Sequence, residues 1–115
     1  MKENGVISEK SKMFAVRIVK LYRYLSDEKH EYVMSRQLLK SGTSIGANIR
    51  EAKYGQSRND FIAKMSIALK EASETGYWLE ILVLTEYLTQ EEYESINKDY
   101  EEIIKLLTSI VKSAK

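Results

Sequence analysis

The stretch Leu38-Leu39-Lys40-Ser41-Gly42-Thr43-Ser44-Ile45-Gly46-Ala47-Asn48-Ile49-Arg50-Glu51-Ala52 decides how this chain folds. Leu38, Gly42, Ile45, Ile49 and Ala52 recur three or four residues apart, the spacing that puts side chains on one face of an α-helix. Gly42 and Gly46 lie inside this segment, and each costs a helix about 1 kcal/mol relative to alanine. They are four apart and share a face, so close approach of another backbone would offset the cost. The helix is expected over about residues 33–54, with Gly55 behind it as a left-handed C-terminal stop.

Three further helices flank it. Upstream, Phe14, Ile18, Leu21 and Leu25 step by four, three and four, predicting a helix over about 8–26 with Ser8 as its N-cap. The polar run Asp27-Glu28-Lys29-His30-Glu31 reads as the connection. Downstream, Ser57 with Asp60 three residues later is a capping-box pattern, although Glu or Gln is the usual partner. Phe61, Met65, Ala68, Ala72, Thr75, Leu79 and Leu82 follow as a heptad-like stripe, predicting a helix over about 58–86. Its roughly 29 residues would span about 43 Å, more than the first helix covers, so one end is expected to project or to bend near Gly76. Thr89 with Glu92 opens a fourth helix over about 90–113, with Tyr93, Ile96, Tyr100, Ile103, Leu107 and Ile110 on its apolar face. Four such stripes joined by short connections predict an all-α, antiparallel up-down-up-down four-helix bundle, one domain over residues 1–115.

The composition agrees. Proline is absent from the 115 residues, as suits long helices with few loops. Absence of cysteine excludes disulfides and thiolate chemistry. The apolar run Ile81-Leu82-Val83-Leu84 is far shorter than the ~20 residues of a membrane span. Met1-Lys2-Glu3-Asn4-Gly5 lacks the apolar stretch of a signal peptide. A cytoplasmic protein without a membrane partner is expected.

No pattern for catalysis, cofactor or metal emerges, so the chain is expected to be no enzyme. His30 is the one histidine and falls in a loop, whereas bundle di-iron sites need Glu-x-x-His on two helices. No glycine-rich phosphate loop is present. The unusual feature is a second stripe on the Leu38–Ala52 helix, formed by Ser41, Ser44, Asn48 and Glu51. The favoured reading is a tight helix crossing with buried hydrogen bonds, for which Lys70, Glu71 and Thr75 are candidate partners. The alternative is a ligand pocket using Asn48 and Glu51.

Two surface readings remain. Of eight tyrosines, Tyr24, Tyr54 and Tyr77, together with Trp78, should lie partly outside a single bundle's core. Aromatic side chains with one wet end are enriched at protein interfaces, which makes these four candidate subunit contacts. Net charge is only +1, yet residues 1–25 carry six basic and two acidic side chains, and residues 86–115 four basic and seven acidic. Lys10, Lys12, Arg17, Lys20 and Arg23 therefore form a candidate nucleic-acid face on the first helix.

The Leu38–Ala52 segment, followed by Ser57-Arg58-Asn59-Asp60-Phe61, resembles the signature of the four-helix bundle proteins also called 23S rRNA intervening-sequence proteins. The run Lys64-Met65-Ser66-Ile67-Ala68-Leu69-Lys70-Glu71-Ala72-Ser73-Glu74-Thr75, with Tyr77-Trp78-Leu79, is similar to that family's third helix. The likeness extends from about Phe14 to Ile110. It implies an antiparallel four-helix bundle that assembles into a ring-like homopentamer. The family is named for genes inside insertions in ribosomal RNA genes, a genomic address rather than an activity. A distant relative of the same fold, the accessory protein of diversity-generating retroelements, binds nucleic acid and a reverse transcriptase, but it is strongly basic where this chain is nearly neutral.

Overall fold

A computed structural model describes the backbone of residues 2–115 and the side chains from residue 5 onward. It contains α1 (Lys2–Asp27), α2 (Met34–Lys53), α3 (Arg58–Leu84) and α4 (Gln90–Ala114), and no strand among the described residues. Each helix packs on its neighbour in sequence, and α4 closes on α1. Contacts across the seams give the direction. Ser11 and Ile18 of α1 face Gly46 and Gly42 of α2, in reverse order. Ser41 and Glu51 of α2 meet Thr75 and Lys64 of α3. Arg58 and Gly76 of α3 meet Ala114 and Tyr100 of α4. Lys10 and Arg17 of α1 meet Glu102 and Asp99 of α4. All four seams are antiparallel, and the bundle is the up-down-up-down form.

The core lies where the stripes converge. Phe14, Ile18, Leu25, Leu38, Ile45, Met65, Leu79, Leu82, Ile103 and Leu107 are almost wholly buried. Burying a side chain of this size removes it from water for roughly 1.5–3 kcal/mol. Leu21, Phe61, Tyr93 and Tyr100 pack against this core while remaining partly exposed. Tyr100 lies across Gly76, where a Cβ would overlap its ring and hydroxyl. Burial there pushes the Tyr100 phenol above its ordinary pKa, with the nearby Glu101 carboxylate acting in the same direction.

The first helix differs from its sequence expectation. It begins at Lys2 rather than near Ser8 and runs for 26 residues, so Ser8 lies in its interior and caps nothing. The physical reason is Ile7, one heptad before Phe14 and fully buried, which carries the apolar stripe another two turns. At 27 residues, α3 is therefore matched by α1 in length and has no unmatched end to project.

The helix ends also diverge in detail. Gly55 has no positive φ and does not provide a left-handed stop. It is tolerated at the turn because a Cβ there would come within 3.1 Å of the Ala52 carbonyl oxygen and 3.3 Å of the Asp60 Cβ. The left-handed residues are instead His30, φ 56°, in the connection after α1, and Glu86, φ 67°, just past the C-terminus of α3. There the Glu86 N–H donates to the Val83 carbonyl and the Tyr87 N–H to the Leu82 carbonyl, the paired bonds of a Schellman motif. At the start of α3, Ser57 accepts from the Asp60 N–H at 3.1 Å. The shorter Asp60 carboxylate reaches the Gln56 N–H rather than that of Ser57. At α4 the capping box is complete, with Thr89 Oγ1 accepting from the Glu92 N–H and Glu92 Oε1 from the Thr89 N–H.

The start of α2 has an unforeseen cap. Glu31 is buried, and its carboxylate accepts from the backbone N–H groups of Val33, Met34 and Ser35 at 3.0, 3.0 and 2.7 Å. Ser35 Oγ donates back to the Glu31 carbonyl at 2.8 Å. An anion satisfying N–H groups at a helix N-terminus is favoured by both hydrogen bonding and the helix dipole.

Candidate interaction surfaces

The small-polar stripe of α2 divides into two environments. Ser41 is fully buried and meets Thr75 across the α2–α3 seam, hydroxyl to hydroxyl at 3.0 Å. Thr75 Oγ1 also lies 2.8 Å from the Glu71 carbonyl, and Ser41 Oγ has the Leu38 carbonyl at 3.4 Å as its own backbone acceptor. The rest of the stripe is nearer the surface. Ser44 Oγ donates to the Lys40 carbonyl, and Asn48 Nδ2 to the Ser44 carbonyl at 2.9 Å. Glu51 Oε1 pairs with Lys64 Nζ at 2.8 Å across the same seam. All four side chains are engaged within the chain. Lys70 is not among the partners, and Glu71 takes part through its backbone carbonyl.

Gly42 and Gly46 face α1. A Cβ on Gly46 would sit 3.4 Å from the Ser11 carbonyl oxygen, an ordinary van der Waals contact, so the α1 backbone lies close here but leaves room for an alanine. At Gly42 the space is filled by the Ile18 side chain, 2.7 Å from where a Cβ would stand. On the outside of this seam lies a shallow hollow whose floor holds Ala15, Gly46 and Ala47 and whose rim holds Lys12, Arg50 and Lys53, with Tyr54 at its end. No carboxylate lines it.

The basic residues of α1 are arranged differently from a continuous cationic face. Arg17 is held in the α1–α4 seam by Asp99 at 2.8 Å, the Ser95 carbonyl at 3.1 Å and Ser95 Oγ at 2.9 Å. Lys10 pairs with Glu102 at 2.8 Å, and that hydrogen bond raises its pKa. Lys12 pairs with Glu9, one turn before it. Of the five sequence-predicted candidates, only Lys20 and Arg23 lack a carboxylate partner among the described residues.

Sequence reasoning passed over α2. Arg36, Lys40, Arg50 and Lys53 are all exposed, and none has a carboxylate partner among the described residues. The one acid of this helix, Glu51, is turned to Lys64. Together α1 and α2 contain ten basic and four acidic residues, and α3 with α4 six and ten. The bundle is thus electrically two-sided despite its near-zero net charge. Segment counts over α2 alone would have revealed this from sequence, but ion pairing across seams would not have been visible.

The aromatic candidates also separate. Tyr54 and Tyr77 are 74% and 55% exposed, whereas Tyr24 and Trp78 pack partly against the core. Tyr77 belongs to a wider feature. The side of α3 turned away from the core carries Ala63, Ile67, Tyr77, Ile81 and Leu84, with the exposed Lys70 and Glu74 between Ile67 and Tyr77; Ile67 and Leu84 are 41% and 77% exposed. The Trp78 ring lies edge-on to Tyr77 at 5.2 Å, and its buried indole N–H has no acceptor among the described residues. A helix apolar on both faces is ordinarily covered on both, and α3 is covered on one. Among the described residues no group of three or more His, Asp or Glu side chains is placed to hold a metal ion, and no helix is long and apolar enough to cross a membrane.

An antiparallel bundle with a packed core, a cationic side and an outward apolar helix belongs to the class of small helical modules whose distinguishing features lie on their surfaces. The chain belongs to the 23S rRNA-intervening sequence protein family, whose family model matches residues 3–109. It is similar to a solved structure from Bacteroides thetaiotaomicron VPI-5482, a protein of unknown function from the S23 ribosomal protein family. The two share 64% sequence identity over 96% of this chain and 98% of that one, with a TM-score of 0.94. No functionally curated relative matches the chain.

Proposed function

We propose that this protein is a non-enzymatic, cytoplasmic binding or scaffolding module that works as a homo-oligomer, with the five copies that the family likeness implies. The observation that carries the reading is the uncovered apolar face of α3. Ile67, Tyr77 and Leu84 are large apolar side chains left exposed along the outer side of α3, with Lys70 and Glu74 between the first two, and exposed apolar side chains grouped on one side mark interaction sites. Tyr77 and Trp78 are the subunit contacts this face favours. Tyr54, at the far end of α2, and Tyr24, beside the α1–α4 seam, are secondary ones. The exposed Tyr77 ring covers the flank of Trp78, so a neighbouring chain that displaced it could supply the acceptor the indole N–H lacks.

Light scattering after size exclusion tests the reading. A mass of five chains is expected at micromolar concentration, and Ile67→Lys combined with Tyr77→Lys should reduce it. A monomeric wild-type protein would sink the proposal.

A further inference from the structure

We infer that the outer face of α2, with the adjoining edge of α1, docks the phosphate backbone of double-helical nucleic acid without reading its sequence. The antiparallel register that sets Gly42 opposite Ile18 and Gly46 opposite Ser11 brings Arg23 level with Arg36, one turn before Lys40, whereas Lys20 stands on the α4 side of α1, beside Glu91 and Glu92. Arg23, Arg36 and Lys40, three cations without carboxylate partners among the described residues, thus lie toward one end of this face. At the other end Lys12, Arg50 and Lys53 surround the hollow over Gly46, whose lining contains no acid. Twenty residues of α2 extend this band over about 30 Å, and packed helix axes lie roughly 8–10 Å apart. Two rows of cations on that scale can follow the backbone of a duplex.

The chemistry of the face selects among polyanions. An acidic protein partner would need apolar or aromatic anchors, because lysine is depleted at the centre of protein interfaces. The middle of this face offers Thr43 and Ala47 on α2 and Ala15 and the half-exposed Val16 on α1 between its cations, and no aromatic ring. A single strand would need aromatic platforms for its bases, and Tyr54 alone is available, with the Lys53 ammonium already 5.9 Å from its ring centre. Backbone contact with a duplex needs neither.

The inference is independent of subunit number, since binding per chain is read whatever the mass. Fluorescence anisotropy of a labelled duplex RNA of about 20 base pairs, from roughly 50 to 200 mM salt, tests it with the full-length protein. Binding should weaken with salt. Arg36→Glu combined with Lys40→Glu should lower affinity by at least about tenfold and reduce the salt slope by about two, each phosphate contact contributing roughly 0.9. Lys105→Glu on α4 should leave affinity within about twofold, and circular dichroism verifies that each variant is folded. The inference is overturned if the wild type does not bind at the lowest salt. It is overturned equally if Lys105→Glu is as damaging as the α2 pair, or if polyglutamate competes as well as unlabelled duplex.

Discussion

Replacing Glu31 tests whether one buried carboxylate sets the start of the helix that bears the cationic face. In Glu31→Ala three N–H groups lose their acceptor. The Ser35 N–H is in a buried bond, and stranding a buried donor costs about 1–3 kcal/mol. The Val33 and Met34 bonds are part-buried, so water can replace them, at a net loss of about 0.5 kcal/mol each. Removing an anion from a partly buried helix N-terminus costs roughly another 0.5–1 kcal/mol. The total is about 4 kcal/mol. Unfolding entropy of about 2.1 cal/mol/K per residue makes that a fall of roughly 16 °C in Tm for a chain of this length. Glu31→Gln keeps one acceptor oxygen but turns an amide donor toward a backbone donor, so it should fall between the two. Urea unfolding followed by far-ultraviolet circular dichroism measures the difference. Protein concentration must be fixed, because self-association adds stability by mass action. A loss below about 1 kcal/mol in Glu31→Ala would refute the assignment of Glu31 as the organising cap.

Two further changes probe the other helix ends. Glu86→Gly should stabilise by about 1 kcal/mol, because only glycine adopts the left-handed cap without steric cost, and Glu86→Ala should show no gain; thermal melts compare them. The hydrogen bond from the Thr89 N–H holds the Glu92 carboxyl below its ordinary value of 4.5. A depressed folded-state pKa contributes stability above the unfolded value that is lost as pH falls through the folded one. The gap between wild type and Glu92→Gln should therefore be constant near neutrality and close below about pH 4.5 in urea titrations at stepped pH.

Most of the architecture was legible because spacing alone carries it. The four apolar stripes required only that residues three and four apart share a face, and Thr89 with Glu92 announced the one complete capping box. The misread ends have physical causes. Asn4 and Gly5 resemble loop residues, but a buried isoleucine one heptad before Phe14 overrides weak local propensity. Glu31 was hidden in a run of charges read as a connection, since nothing local distinguishes a solvated carboxylate from one folded back onto three N–H groups. Gly55 was read as conformationally special when the restriction is steric, set by Ala52 and Asp60. The candidate surfaces were less legible still. Counting charges along α1 found the right number of cations and could not foresee that Asp99, Glu102 and Glu9 engage three of them.

That difference between counted and uncompensated charge links the two proposed surfaces. In an α1–α2–α3–α4 ring of helices, α1 lies diagonally opposite α3, and α2 lies between them. Covering the outer face of α3 with another chain therefore leaves the outer edge of α1 on the far side, and that of α2 to the flank. If subunits meet through Ile67, Tyr77 and Leu84, the bands formed by Arg23, Arg36, Lys40, Arg50 and Lys53 remain on the outside of the assembly, one per copy. Duplex nucleic acid presents one negative charge per about 1.7 Å of axis, so a single 30 Å band faces more phosphates than it can neutralise. Several bands on one scaffold can engage the same duplex at successive positions, and each contact after the first is intramolecular. Near-zero net charge is then compatible with nucleic-acid binding. The acids of α4 that bring the total toward zero include Asp99 and Glu102, which are spent in the seam with α1 rather than set against the cations of α2.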